Sequence, residues 1–76
     1  MYKIQIRHWM MWAGIAQKAV RVAEMIKQQL EIEAELVKGG MGELSVLVNG
    51  EKVAKKGWFK SPSEQEFLDA VREATD

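Results

Sequence analysis

The chain has 76 residues, 47% hydrophobic and 29% charged, with 11 Lys plus Arg against 11 Asp plus Glu. That length makes one domain, residues 1–76, whose folding hides only about 60% of the unfolded chain's surface. The composition excludes three classes: balanced charge gives no basic face for nucleic acid or an acidic membrane, no apolar run nears the roughly 20 residues that span a bilayer, and a chain with no cysteine and one histidine offers neither a thiolate nor a metal-ligand set.

Residues 2–8 alternate. Tyr2, Ile4, Ile6 and His8 share one face and Lys3, Gln5 and Arg7 the other, which predicts a half-buried strand. The same alternation does not read as a signal peptide, so a cytoplasmic protein is expected. Residues 12–30 change to helical spacing, with Ala16, Ala19, Val20, Ala23, Ile26 and Leu30 as the apolar stripe. Residues 31–37 alternate again, with Ile32, Ala34 and Leu36 inward and Glu31, Glu33 and Glu35 toward water. Gly39-Gly40-Met41-Gly42 breaks the chain, and Leu44, Val46 and Val48 form the next inward set. Asn49-Gly50 predicts a tight hairpin, because both residues tolerate positive φ. A lysine-rich return strand follows over 52–56, with Val53 and Lys55 on one face, in keeping with a sheet edge. Ser61-Pro62-Ser63-Glu64 reads as a helix start, with Ser61 as cap, Pro62 at the first helical position and Glu64 closing a capping box. Phe67, Leu68, Val71 and Ala74 then form the last helix's apolar face.

The predicted order is β-α-β-β-β-α, a two-layer α+β fold with a four-stranded mixed sheet and both helices on one face. The other face carries Lys3, Gln5 and Arg7 beside the glutamates and reads as solvated. An antiparallel third strand brings three loops to one end: residues 8–13, 38–42 and 57–62. They hold all three tryptophans and three of the five methionines, as Trp9, Met10, Met11, Trp12, Met41 and Trp58, together with Phe59.

The pattern resembles the selenoprotein W, or Rdx, family of thioredoxin-like proteins over nearly the whole chain. Members begin with a strand ending in an aromatic residue and Cys-x-x-Cys or Cys-x-x-selenocysteine. An amphipathic helix, an acidic strand, a Gly-Gly-x-Gly turn, a strand, a tight hairpin and a final helix follow. The counterparts here run from Arg7-His8-Trp9-Met10-Met11-Trp12-Ala13 through Glu31-Ile32-Glu33-Ala34-Glu35-Leu36, Gly39-Gly40-Met41-Gly42 and Val48-Asn49-Gly50 to Pro62 and Glu66-Phe67-Leu68-Asp69-Ala70-Val71. The departures fall on the chemistry. Trp9 and Trp12 occupy the two redox positions, Ala13 replaces a common glycine, and Ser61-Pro62 stands where Phe-Pro is usual.

The resemblance implies thiol redox exchange or redox-sensitive protein binding. Disulfide exchange needs a thiolate, and indole does not supply one. The expectation is therefore a non-catalytic binding module, without cofactor or metal, that meets a protein partner or a second copy of itself through Trp9, Met10, Met11, Trp12, Met41, Trp58 and Phe59. Four consecutive large apolar residues at a strand–helix turn do not all fit inward. Gly39, Gly40 and Gly42 support the facing turn. The alternative is a thiol-disulfide oxidoreductase whose redox cysteines are replaced in this sequence. His8 reads as a polar strand end, and the glycine turn is not a phosphate loop, because no Lys-Ser/Thr pair follows it.

Overall fold

The computed structural model describes residues 2–57 and 61–76. In chain order it has β1 (Ile4–His8), α1 (Ala13–Leu30), β2 (Ala34–Lys38), β3 (Leu44–Val48), β4 (Glu51–Lys55) and α2 (Glu64–Thr75). The four strands form one sheet in the order β2-β1-β3-β4. β1 runs parallel to β2 and antiparallel to β3, and β3 pairs antiparallel with β4. The predicted two-layer α+β architecture is therefore present, with both helices against one sheet face. Ile4, Ile6, Leu44, Val46 and Val48 from the sheet share a single core with Ile15, Ala19, Val22 and Ile26 of α1 and Phe67, Leu68 and Val71 of α2.

Six local expectations are corrected, each for a physical reason. Tyr2 is exposed rather than inward, because pairing with both neighbours starts at Ile4, opposite Ala34 and Val48. On α1 the buried stripe is Ile15, Ala19, Val22 and Ile26, while Ala16 and Ala23 are half-buried and Val20 is exposed. Val20 lies about 100° around the helix from Ala19, past the edge of the covered face. The strand expected from residue 31 begins only at Ala34, because Glu31 adopts the left-handed conformation (φ 59°) and closes α1 with its N–H on the Lys27 carbonyl, 3.1 Å away. Leu36 shares the helix-side face with Ile6 but remains 43% exposed, since β2 is an edge strand with a neighbour on one side only.

The fifth correction concerns β4. Asn49 and Gly50 turn the hairpin with φ of 53° and 85°. The ladder then slips between Val46 and Leu47, where Ala54 faces Val46 but Lys52 faces Leu47. Val53 is the extra residue of a β-bulge. Val53 and Ala54 thus both pack against the core and Lys55 is exposed, whereas strict alternation put Val53 and Lys55 together.

The last correction is at α2. Its cap is Ser63, which accepts from the Glu66 N–H at 3.1 Å while the Glu66 carboxylate accepts from the Ser63 N–H at 3.0 Å. Ser61 and Pro62 are engaged elsewhere. Lys18 of α1 donates to the Ser61 hydroxyl at 3.0 Å and also to the Pro62 carbonyl. The same Lys18 ammonium lies 5.7 Å from the centre of the Phe67 ring. Ala74 is exposed rather than part of the apolar face.

Candidate functional site

The site lies at the end of the sheet where β1 stops and β3 starts. Three backbone hydrogen bonds hold the segments together there. The Gly39 N–H donates to the His8 carbonyl at 2.8 Å, the Trp9 N–H to the Glu43 carbonyl at 2.9 Å, and the Lys56 N–H to the Leu44 carbonyl at 2.8 Å. The antiparallel β1–β3 pairing is thus what brings residues 9–12 beside residues 39–43.

The four residues of the first loop divide. Trp9 is half-buried and packs against the core. Met10, Met11 and Trp12 are 58%, 81% and 54% exposed, and Met41 on the neighbouring turn is 85% exposed. Trp12 is the N-cap of α1, with extended backbone (φ −117°, ψ 111°), and its carbonyl accepts from the Ile15 and Ala16 N–H groups at 3.1 Å each. An indole has no acceptor for the helix amides, so it provides no side-chain cap, and no acidic residue occupies the first turn. Instead the ring folds back over Gly14, where a Cβ would stand 3.5 Å from its Nε1. Trp58 and Phe59, also expected here, lie outside the described residues.

The glycines of the facing turn have separate reasons. A Cβ on Gly39 would lie 2.9 Å from the Glu43 carboxylate, 3.0 Å from the His8 nitrogen and 3.2 Å from the Arg7 carbonyl carbon. Close approach to the end of β1 therefore requires glycine. Gly42 has φ of +70°, a left-handed turn that a side chain would strain. Gly40 presents its N–H to the Glu43 Oε1 at 2.7 Å.

Glu43 is the residue that sequence reasoning missed. Its Oε2 accepts from the Ser45 hydroxyl at 2.5 Å, and Arg7 Nε and Lys52 Nζ stand 3.6 and 3.8 Å from the same oxygen. The Ser45 hydroxyl, then the Gly40 N–H, and then the two cations hold its carboxyl below the usual carboxylate range against the opposing effect of burial. The signal was an acid next to the glycine turn, two residues before a buried serine on the sheet face that also carries Arg7. His8, expected as an ordinary polar strand end, is buried, and its Nδ1 has no hydrogen-bond partner among the described residues. Among those residues no group of three His, Asp or Glu side chains is placed to hold a metal ion, and no helix is long and apolar enough to cross a membrane.

A mixed β2-β1-β3-β4 sheet under two helices, with its loop cluster at the β1–α1 turn, defines an α+β protein of thioredoxin-like fold. The solved structure of a selenoprotein W-related protein from Vibrio cholerae superposes with a TM-score of 0.81, covering 99% of this chain and 98% of that one at 14% identity. A protein from Bordetella parapertussis superposes with a TM-score of 0.73 over 96% of each chain at 18% identity. The chain thus has the selenoprotein W-related fold. No protein-family model matches the sequence, and no curated protein sequence does.

Proposed function

We propose that this chain is a non-catalytic relative of the selenoprotein W-related proteins that works as an interaction module, docking protein through Met10, Met11, Trp12 and Met41. The observation that carries the reading is the exposure of these four side chains on two hydrogen-bonded loops. Single exposed apolar residues are ordinary, but Trp and Met are the types enriched in interface cores and adaptable contact surfaces. The chain also has no cysteine to support thiol exchange at the same loop.

The partner that fits first is a second copy of the chain. None of the four side chains is ionisable, so two such patches meet about a two-fold axis without like-charge conflict. The test is sedimentation equilibrium over a range of concentrations, comparing the parent chain with a Trp12→Ala/Met11→Ala variant. Self-association of the parent and a monomeric variant with unchanged circular dichroism are expected. An unchanged association in the variant, or a variant that unfolds, overturns the reading. A parent that stays monomeric removes the second copy as partner.

The alternative retains one favourable observation: residue 12 caps α1, where the helix amides favour a thiolate. A Trp9→Cys/Trp12→Cys variant then shows a thiol titrating well below the usual cysteine value. Two ordinary thiols in that variant count against an oxidoreductase ancestry for the site.

A further inference from the structure

We propose that Met10, Met11 and Met41 form an oxidation site, at which a peroxide converts exposed thioethers to sulfoxides and switches the patch from apolar to polar. The effect on association rests on the contact reading above; the selectivity of oxidation does not. With no cysteine in the chain, its five methionines hold all of its sulfur. Thiolates are the sulfur that oxidants otherwise take first, so no side chain here shields the thioethers. Access then sets the order. Met11 and Met41 are 81% and 85% exposed and Met10 is 58% exposed, while Met25 is half-buried on α1 against the core.

In the reaction the thioether sulfur attacks one peroxide oxygen. The S–O bond forms as the O–O bond breaks, and the departing hydroxide ends as water after proton transfer. Sulfur loses two electrons and the peroxide gains them. Methionine sulfoxide reductases reverse the change at the expense of a dithiol, which becomes a disulfide as the oxygen leaves in water. A sulfoxide is polar and strongly hydrogen-bonding, so three of them on these two loops remove the apolar character that a packed contact requires. The core is spared, because none of the three side chains belongs to it.

Limited hydrogen peroxide treatment of the full chain, followed by peptide mass mapping, tests the site. Met11 and Met41 are expected to gain oxygen about tenfold faster than Met25, with circular dichroism unchanged. Oxidation of Met25 at the same rate as Met11 and Met41 overturns the proposal, whatever the state of association. Sedimentation of the same samples tests the consequence: peroxide reduces self-association, and a Met10→Leu/Met11→Leu/Met41→Leu variant resists the loss. Association that survives full oxidation of all three overturns the switch. A chain already monomeric before treatment removes the second copy as partner and leaves the oxidation order to decide the site.

Discussion

Glu43 gathers two hydrogen-bond donors and two cations, and its side chain is only 20% exposed. Its depressed carboxyl pKa is a statement about stability. The folded state favours the ionised form, so the contribution is fully present above the unfolded-chain value of about 4.3 and is lost as pH falls through the lower folded value. Glu43→Gln is therefore expected to cost about 1–3 kcal/mol at neutral pH, and the gap should close on acidification. Urea unfolding midpoints of both chains, followed from pH 7 into the acid limb, check this; a gap independent of pH rules out the ionised carboxylate as its source. Gly39 depends on the same neighbourhood. Gly39→Ala pushes a methyl group against the backbone of Arg7 and His8 and is expected to cost about 1–3 kcal/mol. Gly40→Ala is the control: its Cβ meets nothing nearer than the Glu43 carboxylate at 3.5 Å and φ is not positive there, so a change within about 0.5 kcal/mol is expected in thermal unfolding.

Among the elements, α2 shows how a contact from elsewhere chooses between two valid local signals. Ser61-x-x-Glu64 and Ser63-x-x-Glu66 both satisfy the capping-box pattern. Lys18 takes the Ser61 hydroxyl and the Pro62 carbonyl, and the box forms two residues later. Removal of the Ser63 hydroxyl by Ser63→Ala should therefore cost about 1 kcal/mol. Ser61→Ala loses only a solvent-exposed bond from the half-buried Lys18 and should cost a few tenths. Equal losses in denaturant midpoint would place the cap wrongly. The bulge in β4 has the same lesson. Alternation put Val53 and Lys55 on one face, but the extra residue lets Val53 and Ala54 both reach the core and leaves the lysines outside, on an edge strand. The β2 edge is blunted differently, by Glu35 and Lys38 flanking an exposed Leu36.

The whole molecule is small and has no disulfide to restrain its unfolded state. Its stability rests on one core between the sheet and two helices, with cross-links such as Arg21 to Glu64 at 3.3 Å and Arg72 to Gln29 at 3.1 Å on the solvent side. Those exposed links add little. A contact between copies through the Met–Trp patch would therefore make a large share of total stability concentration-dependent, and the thermal midpoint should rise with protein concentration in the parent chain but not in the Trp12→Ala/Met11→Ala variant.

Much of this was legible in the residues themselves. Period-two and period-3.6 patterns, the Asn49-Gly50 turn and the Gly39–Gly42 break are local signals, set by backbone sterics and side-chain spacing within a few residues, and they sufficed for the element order, the parallel β1–β2 crossover and the β3–β4 hairpin. Absence of cysteine from these 76 residues was likewise plain without any coordinates. Other features depended on what each element meets. Val20 and Leu36 are exposed because none of the described residues covers them. Glu43 matters because Arg7, Lys52 and Ser45 converge on it from separate strands. The two tryptophans of the loop look equivalent in the chain, three residues apart. Folding separates them: Trp9 leans on the core, while Trp12 caps α1 with its ring turned toward solvent over Gly14. Burial belongs to the neighbours that cover a side chain, and those neighbours are assembled only by the tertiary fold.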